Sequence, residues 1–273
     1  AAANVLLLKQ SITLPTNCIS AGVVTIEELT NVLGEKILLN QPTGRGDSTW
    51  QTVGRDNNQS TIGDHHHIQE VLQILPTLQY GMDVNPKFSS GPTGMEYTKE
   101  LNAFDLLHIE LVHGWLLDPT SPADDHMSTI IGKSSYNQLV NLVIEGNDAA
   151  SALEQNPDPY TSNHDELSTK ATKGSLIRSF LESSGHQLTQ YGLQVLHEYV
   201  SEGDMKVFFR YNHFNTLSKH SDGHLYLLVT DFGFADLPLV VWERLDVIDG
   251  DTEYVTGDFK VPQPIPQART DST

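Results

Sequence analysis

The sequence predicts an α+β protein in which helices pack on an antiparallel sheet. Helical periodicity dominates the chain up to Val200, and two strongly apolar strand patterns follow it. No internal repeat is visible, and 273 residues can form one large domain with a sizeable core. We therefore predict a single domain over residues 1–260, followed by a disordered tail at 261–273, where three prolines occur without apolar periodicity.

Two helices are predicted near the start of the chain. Ala1 to Gln10 has high helix propensity, but no capping residue precedes it. We therefore expect a helix entered after its start, in a protein whose native N-terminus lies upstream. A proline ends this helix, so Cys18 is expected in a loop. Thr25 and Glu28 then form a capping-box pattern that predicts a second helix to about Gly34.

The next helix is predicted after a polar insertion. Residues 41–64 are rich in Gly, Asn, Gln, Ser and Thr and have almost no apolar periodicity. Asp64 is a suitable cap for a helix that stops near Pro76. The histidines at 65–67 suggest a metal site only superficially, because adjacent side chains on a helix point about 100° apart. We therefore predict no metal site.

The middle of the chain mixes short segments with longer helices. Residues 80–115 are punctuated by Gly and Pro and predict short strands with loops. Ser135 and Gln138 again match a capping box and begin a helix. Residues 145–168 are acidic, polar and contain prolines, so we predict a second insertion there. Two further helices are predicted over 172–184 and 189–200.

The strands surround a histidine of interest. Val207 to Phe209 and His224 to Thr230 predict buried strands, because short runs of β-branched and aromatic residues fit a pleated surface. Between them, His213 falls where the first strand ends and a hairpin begins. A general base occupies such a position in papain-like cysteine hydrolases. The alternative is a histidine at the surface or the edge of the core with no chemical role.

Composition limits the classes of partner and location. The formal net charge is −19 and the pI about 4.8, which disfavours nucleic acid and anionic membrane and suits a partner with a basic surface. Acidity that serves solubility alone is the alternative. No apolar run is long enough to span a membrane. The only cysteine, Cys18, excludes an intramolecular disulfide, so we expect a reducing compartment, the cytoplasm and also the nucleus.

Longer motifs are spread in order over most of the chain. They are Y-G-M-D-V-N-P-K-F from Tyr80, E-Y-T from Glu96, F-D-L-L-H-I-E-L-V-H-G-W-L-L-D-P from Phe104, S-Y-N-Q-L-V from Ser135, L-T-Q-Y-G-L from Leu188, F-F-R and N-H-F-N-T around His213, H-L-Y-L-L-V-T-D-F-G-F from His224, V-V-W-E-R-L from Val240 and V-I-D-G-D from Val247. Together they resemble the MINDY family of deubiquitinases. These are papain-like cysteine proteases that trim polyubiquitin of the lysine linkage that targets proteins to the proteasome.

The resemblance implies a fold, a reaction and a set of site residues. It implies a papain-like fold, a monomer, and isopeptide hydrolysis by a cysteine and a histidine without a cofactor. His213 matches the catalytic histidine of the family. The partner implied is polyubiquitin, and core packing is the alternative role of the aromatic residues among its contacts. The positions that match the family's ubiquitin contacts are Asp83, Val84, Trp115, Tyr136 and Phe209.

The nucleophile of this chemistry is missing from the sequence. In the family, the cysteine lies in an N-G-P-C-P-L-type segment that leads into a helix and follows a glutamine that serves the oxyanion. That segment would lie just before Ala1. Cys18 follows the first helix, so we interpret it as an inert thiol. Asn212 and Asp231 are the candidates for orienting His213, because a catalytic imidazole usually has an acceptor on its second nitrogen.

Three hypotheses about function result. The first is a cysteine-type deubiquitinase whose catalytic domain is here without its nucleophile. The second is a pseudoenzyme that binds polyubiquitin without cleaving it. The third, a metal hydrolase that uses the histidines at 65–67, is the weakest, because no H-E-x-x-H or comparable ligand spacing is present.

Overall fold

The structure is a computed structural model that describes residues 1–40, 62–156, 158, 160, 163–249 and 252–262, without the side chains of 62–67 and 122–126. The predicted insertion at 41–64 and the predicted tail therefore lie largely outside the described residues. The helices are α1 (Ala2–Leu8), α2 (Thr16–Ala21), α3 (Ile26–Leu39), α4 (Ile62–Ile74), α5 (Leu101–Leu107), α6 (Pro122–Ile131), α7 (Tyr136–Gln155), α8 (His164–Ser183) and α9 (Gln190–Tyr199). Short 3-10 helices cover Leu75–Tyr80 and Phe232–Phe234.

The strands form one sheet with helices packed against it. Within the described residues six strands pair in the order β1-β2-β3-β4-β5-β6. The prediction of an α+β protein is confirmed, but the sheet is not wholly antiparallel, because β1 pairs with β2 in parallel. Helices α6 to α9 separate these two strands in sequence, and so long a crossover permits a parallel pair. The strands are β1 (Leu111–His113), β2 (Met205–Arg210), β3 (His213–Lys219), β4 (Leu225–Leu228), β5 (Trp242–Arg244) and β6 (Tyr254–Val255).

The sheet is buried on both faces around β2. Val207 and Phe209 point into one apolar cluster, which includes residues of α1, α3, α4 and α5. Phe208 points into a second cluster on the opposite face, formed with α9 and strands β3 and β4. Successive side chains of a strand alternate between faces, so a continuous apolar run fits a strand covered on both sides. The prediction of a buried strand at Val207 to Phe209 is thus confirmed.

The second insertion, predicted at 145–168, is helical at both of its ends. Helix α7 continues through it to Gln155, and α8 begins at His164. The two helices cross where Gly146 meets Gly174, since a Cβ on Gly146 would lie 2.7 Å from the Cα of Gly174. Two glycines let the helix backbones approach closely, and the long outer faces stay in water. The polar residues at 145–155 and 164–168 therefore lie largely on the exposed surface of these helices.

Three shorter predictions also need correction. Helix α3 begins at the predicted capping box of Thr25 and Glu28, but it runs past Gly34 to Leu39. Gly34 is buried there, and a Cβ on it would lie 3.4 Å from a methyl group of Leu72 on α4. Helix α5 occupies part of the stretch predicted as strands and loops. Cys18 lies in the first turn of α2 and not in a loop. No helix within the described ranges is long and apolar enough to cross a membrane.

Candidate active site

His213 is the first residue of β3 and follows a two-residue hairpin turn. Arg210, the last residue of β2, pairs with His213 across the hairpin. The turn residues Tyr211 and Asn212 both have φ of +54°. Positive φ at both central positions is the signature of a type I′ turn, whose twist matches that of the strands. His213 is exposed at this turn, and its ring makes no hydrogen bond with the described part of the chain.

The two residues proposed to orient His213 have other partners. Asn212 bonds to Gln187 through both its side chain and its backbone. Asp231 accepts a hydrogen bond from the backbone N–H of Gly233 at 2.6 Å and caps the 3-10 helix at Phe232–Phe234. Neither contacts the imidazole within the described residues. Asn212 instead acts on the turn that precedes His213.

Helix α1 runs alongside β3 with its first residue toward the His213 end. The hydroxyl of Thr216, three residues along β3, donates to the carbonyl oxygen of Ala1 at 3.3 Å. At the other end of α1, the Lys9 ammonium donates to Asp204 at 2.8 Å. Asp204 directly precedes β2, and its carbonyl accepts from the N–H of Lys219, the last residue of β3. The N-terminus of α1 therefore faces the His213 end of the sheet, and its C-terminus faces the Lys219 end.

Trp115 and Tyr136 lie together at one side of this site. Their ring centroids are 5.7 Å apart. Trp115 is only 3% exposed, and its indole N–H donates to the hydroxyl of Ser184 at 2.7 Å. Phe88 packs edge-on against the Trp115 ring at 4.9 Å, and Phe180 of α8 stacks at 6.5 Å. Trp115 thus belongs to a buried aromatic cluster, and Tyr136 covers it at the surface.

Phe209 and Val84 lie in a different cluster from Trp115. Phe209 is 7% exposed and contacts Phe214 with ring centroids 5.5 Å apart. Val84 packs partly buried against the same cluster, while Asp83 is exposed beside it. The chain from Asp83 onward then crosses to the other cluster, where the carbonyl of Pro86 accepts from the backbone N–H of Tyr136. The predicted ubiquitin contacts thus form two groups joined by one short segment.

A buried histidine supports the backbone of Trp115. His113, the last residue of β1, is fully buried, and Nδ1 accepts from the N–H of Trp115 at 3.2 Å. Its Nε2 lies 3.0 Å from the carbonyl oxygen of Gly94, so Nε2 carries the proton. Burial lowers the pKa of His113 to about 4, and the bond to Gly94 opposes this only in part. His113 therefore stays neutral at pH 7.

Cys18 lacks the environment of a nucleophile. Its side chain is 3% exposed, and burial raises the pKa of the thiol. The Glu28 carboxylate acts in the same direction, because a nearby negative charge disfavours a thiolate. Reactive cysteines have a lowered pKa and an electropositive surrounding. The structure thus agrees with the interpretation of Cys18 as an inert thiol.

Two residues of the site were not predicted from the sequence. Gln187, in the link between α8 and α9, holds Asn212, and Arg210 is 7% exposed with its guanidinium directed at backbone carbonyls. Arg210 donates to the carbonyls of His186 and Ile248. An F-F-R run signals a strand ending in a charge, but nothing in the sequence around Gln187 indicates its partner. In the described ranges no three His, Cys, Asp or Glu side chains are grouped to hold a metal ion.

Comparison with known proteins decides the family. The family model described as MINDY deubiquitinase matches residues 1–259. The chain belongs to the MINDY deubiquitinase family. Among its MINDY relatives, ubiquitin carboxyl-terminal hydrolase MINDY-1 of Danio rerio is 38% identical over 261 residues, which is 96% of this chain and 44% of the relative.

Other members of the MINDY family give the same result. MINDY-1 of Homo sapiens is 37% identical over 256 residues, or 94% of this chain and 47% of that protein. MINDY-2 of Bos taurus is 37% identical over 261 residues, or 96% of this chain and 36% of that protein. The chain therefore spans less than half the length of these MINDY relatives. All three are named ubiquitin carboxyl-terminal hydrolases.

Proposed function

We propose that this chain forms most of the catalytic domain of a papain-like, cysteine-type deubiquitinase. The complete enzyme hydrolyses lysine isopeptide bonds in polyubiquitin of the proteasome-targeting linkage. His213 takes the proton of a cysteine thiol and later gives a proton to the leaving lysine amine. The cysteine comes from a segment that precedes Ala1 in the longer protein.

The orientation of α1 is the observation that supports this proposal. The carbonyl oxygen of Ala1 accepts a hydrogen bond from the Thr216 hydroxyl at 3.3 Å, so the N-terminus of α1 faces the His213 end of the sheet. His213 lies roughly 10 Å beyond Thr216, since a strand rises about 3.4 Å per residue. A helix rises about 1.5 Å per residue, so a residue roughly one to two turns before Ala1 reaches the level of His213. A cysteine there would lie at the N-terminus of the extended helix, which lowers the pKa of a thiol.

One exposed and two half-buried residues near the two clusters support a role in ubiquitin binding. We propose that Asp83, Val84 and Tyr136 contact ubiquitin directly, because each has surface available to a partner. Trp115 and Phe209 are buried, so they act by holding this surface in shape. The net charge of −19 favours a partner with a basic surface.

Several further properties follow from the proposed chemistry. Cysteine and histidine suffice for acyl transfer, so the reaction needs no cofactor. A thiol nucleophile must stay reduced, which a reducing compartment favours, and we propose the cytoplasm and also the nucleus. The domain acts as a monomer on polyubiquitin. By itself, the 273-residue chain binds polyubiquitin and does not cleave it.

Replacing His213 in the longer protein tests the proposal. His213→Ala should slow cleavage of polyubiquitin at least about 100-fold, the usual contribution of a positioned base, and leave chain binding within twofold. His164→Ala, at the start of α8, is the matched control and should keep full activity. Retained hydrolysis by the His213 variant would exclude the assigned role. A wild-type longer protein that binds polyubiquitin but never cleaves it would instead establish a pseudoenzyme.

A further inference from the structure

The hairpin turn before His213 has a conformation that its own residues do not favour. Both Tyr211 and Asn212 have φ of +54°. Asn tolerates this left-handed region, but a bulky side chain such as Tyr rarely adopts it, because its Cβ crowds the backbone. Type I′ turns normally use Asn-Gly or a similar pair. The turn therefore needs support from another part of the molecule.

Gln187 supplies that support through two hydrogen bonds. Its side-chain N–H donates to the side-chain oxygen of Asn212 at 2.8 Å, and its Oε1 accepts from the backbone N–H of Asn212 at 2.7 Å. The two bonds hold both the side chain and the backbone of the second turn residue. Gln187 is 8% exposed, whereas Asn212 is exposed. A buried amide thus reaches out to an exposed turn.

The two bonds from Gln187 form a clamp on Asn212, and the segment that carries Gln187 is rigid. Gln187 itself has φ of +56°, and the next residue, Leu188, is fully buried and forms a β-bridge with Gly114. Helix α9 begins just beyond, where the Thr189 hydroxyl caps Gly192 and also donates to the carbonyl of Leu116. The link between α8 and α9 is therefore fixed to the sheet at several points, and the Gln187 amide has little freedom to move.

Arg210 braces the same turn from the other side. Its guanidinium donates to the carbonyl oxygen of His186, the residue before Gln187, at 3.3 Å. The guanidinium also lies 4.6 Å from the ring centroid of Tyr211, within range for a cation–π contact. Both residues of the turn are thus tied to the link between α8 and α9. His213 is the residue that directly follows this braced turn.

We propose that Gln187 is a positioning residue of the active site. It clamps Asn212 in the left-handed conformation and so fixes the direction in which β3, and His213 with it, leaves the turn. The inference rests on the proposed function of His213 as the general base. Gln187 does not touch the substrate in this scheme; it acts only through the turn.

The experiment uses the full-length protein with Gln187→Ala, and Gln190→Ala as the control. Gln190 is an exposed glutamine three residues further along. Loss of the clamp should speed amide hydrogen exchange at Asn212 about 10-fold, the effect of one lost hydrogen bond. Turnover of polyubiquitin should fall about 10-fold in kcat with KM within twofold. Gln190→Ala should change neither quantity.

Two further variants separate positioning from other roles. In the Gln187→Ala background, Asn212→Gly places glycine, the residue that adopts the left-handed region most readily, at the second turn position. The turn should then form without the clamp, and kcat should return to within about twofold of wild type. A kcat that stays low would mean that Gln187 acts by another route. Gln187→Met keeps the approximate size of the side chain but offers neither the N–H that donates to Asn212 nor the amide oxygen that accepts from it. It should speed exchange at Asn212 about 10-fold even if the alanine variant does not fold.

Hydrogen exchange also separates this inference from the proposed function. Unchanged exchange at Asn212 in the Gln187 variants would overturn the clamp, whatever the reaction is. Faster exchange at Asn212 together with full activity of His213→Ala would keep the clamp and overturn the catalytic role of His213, and with it the positioning role of Gln187.

Discussion

Gly192 of α9 lies directly against the backbone of Gly114, which follows β1. A Cβ built on Gly192 would lie 1.7 Å from the carbonyl oxygen of Gly114. The neighbouring N–H of Thr189 donates to that same carbonyl at 3.0 Å. This contact joins the segment that carries Trp115 to the helix that follows Gln187. Two halves of the site are thus held together by a pair of residues without side chains.

Gly192→Ala should therefore destabilise the fold strongly. The atom that the new Cβ would strike belongs to the backbone and cannot rotate away. We therefore expect a loss of about 3 kcal/mol in the free energy of unfolding, the upper end of the usual cost of overpacking. Urea denaturation measures this loss. Gly257→Ala is the control, because the nearest atom to its new Cβ lies 3.9 Å away, and it should change stability by less than about 0.5 kcal/mol. Equal stability of the two variants would contradict the close contact.

Removing the hydroxyl of Ser184 should leave the indole of Trp115 without an acceptor. The Trp115 N–H and Ser184 Oγ are 2.7 Å apart and buried. A buried donor without a partner costs about 1–3 kcal/mol, so Ser184→Ala should lower stability by that amount. Ser183 is an exposed neighbour whose hydroxyl, like that of Ser184, donates to the carbonyl of Phe180. Ser183→Ala should lower stability by less than about 0.5 kcal/mol. Thermal denaturation of both variants makes the comparison.

Acid should destabilise the protein through His113. Its pKa is about 4 in the folded state against an ordinary value of 6.5, so the unfolded chain binds the proton first as pH falls. The contribution is complete above pH 6.5, declines below it and levels off below about pH 4. Between pH 7 and pH 5 this amounts to about 2 kcal/mol. Urea denaturation at both pH values should show a smaller decline for His113→Asn, whatever its absolute stability. An unchanged decline would show that His113 titrates normally.

Cys18 should be slow to react and dispensable. Burial and the Glu28 carboxylate raise the pKa of the thiol, so little thiolate exists at pH 7.5. Alkylation by iodoacetamide should be at least about 10-fold slower in the folded chain than in urea. In the longer protein, Cys18→Ala should cleave polyubiquitin at the wild-type rate. Loss of activity in this variant with an unchanged melting temperature would identify Cys18 as a catalytic group.

The features predicted correctly from the sequence depend on residues close together in the chain. The capping boxes of α3 and α7 each join residues three positions apart, Thr25 to Glu28 and Ser135 to Gln138. The apolar run of β2 likewise predicts a strand by itself, because its side chains need burial on both faces. His213 was predicted where this strand ends, but the structure makes it the first residue of β3, a strand that the sequence analysis did not predict. The ordered motifs of the MINDY family added the reaction that the residues alone only suggested.

Tertiary structure decided what residues far apart in the chain do for one another. The bonds between Gln187 and Asn212 join positions 25 residues apart, and neither residue type indicates its partner. Composition predicted an insertion at 145–168, but α7 and α8 extend over 145–155 and 164–168. The crossing of Gly146 and Gly174 packs the two helices together, and close packing stabilises a helix whose outer face is polar. Trp115 was expected at a binding surface, and its bond to Ser184 holds it inside. Local hydrogen bonds and periodicity depend on neighbouring residues and can be predicted from the sequence. The hydrogen-bond partner of a buried polar group depends instead on which distant atoms the packing brings within reach.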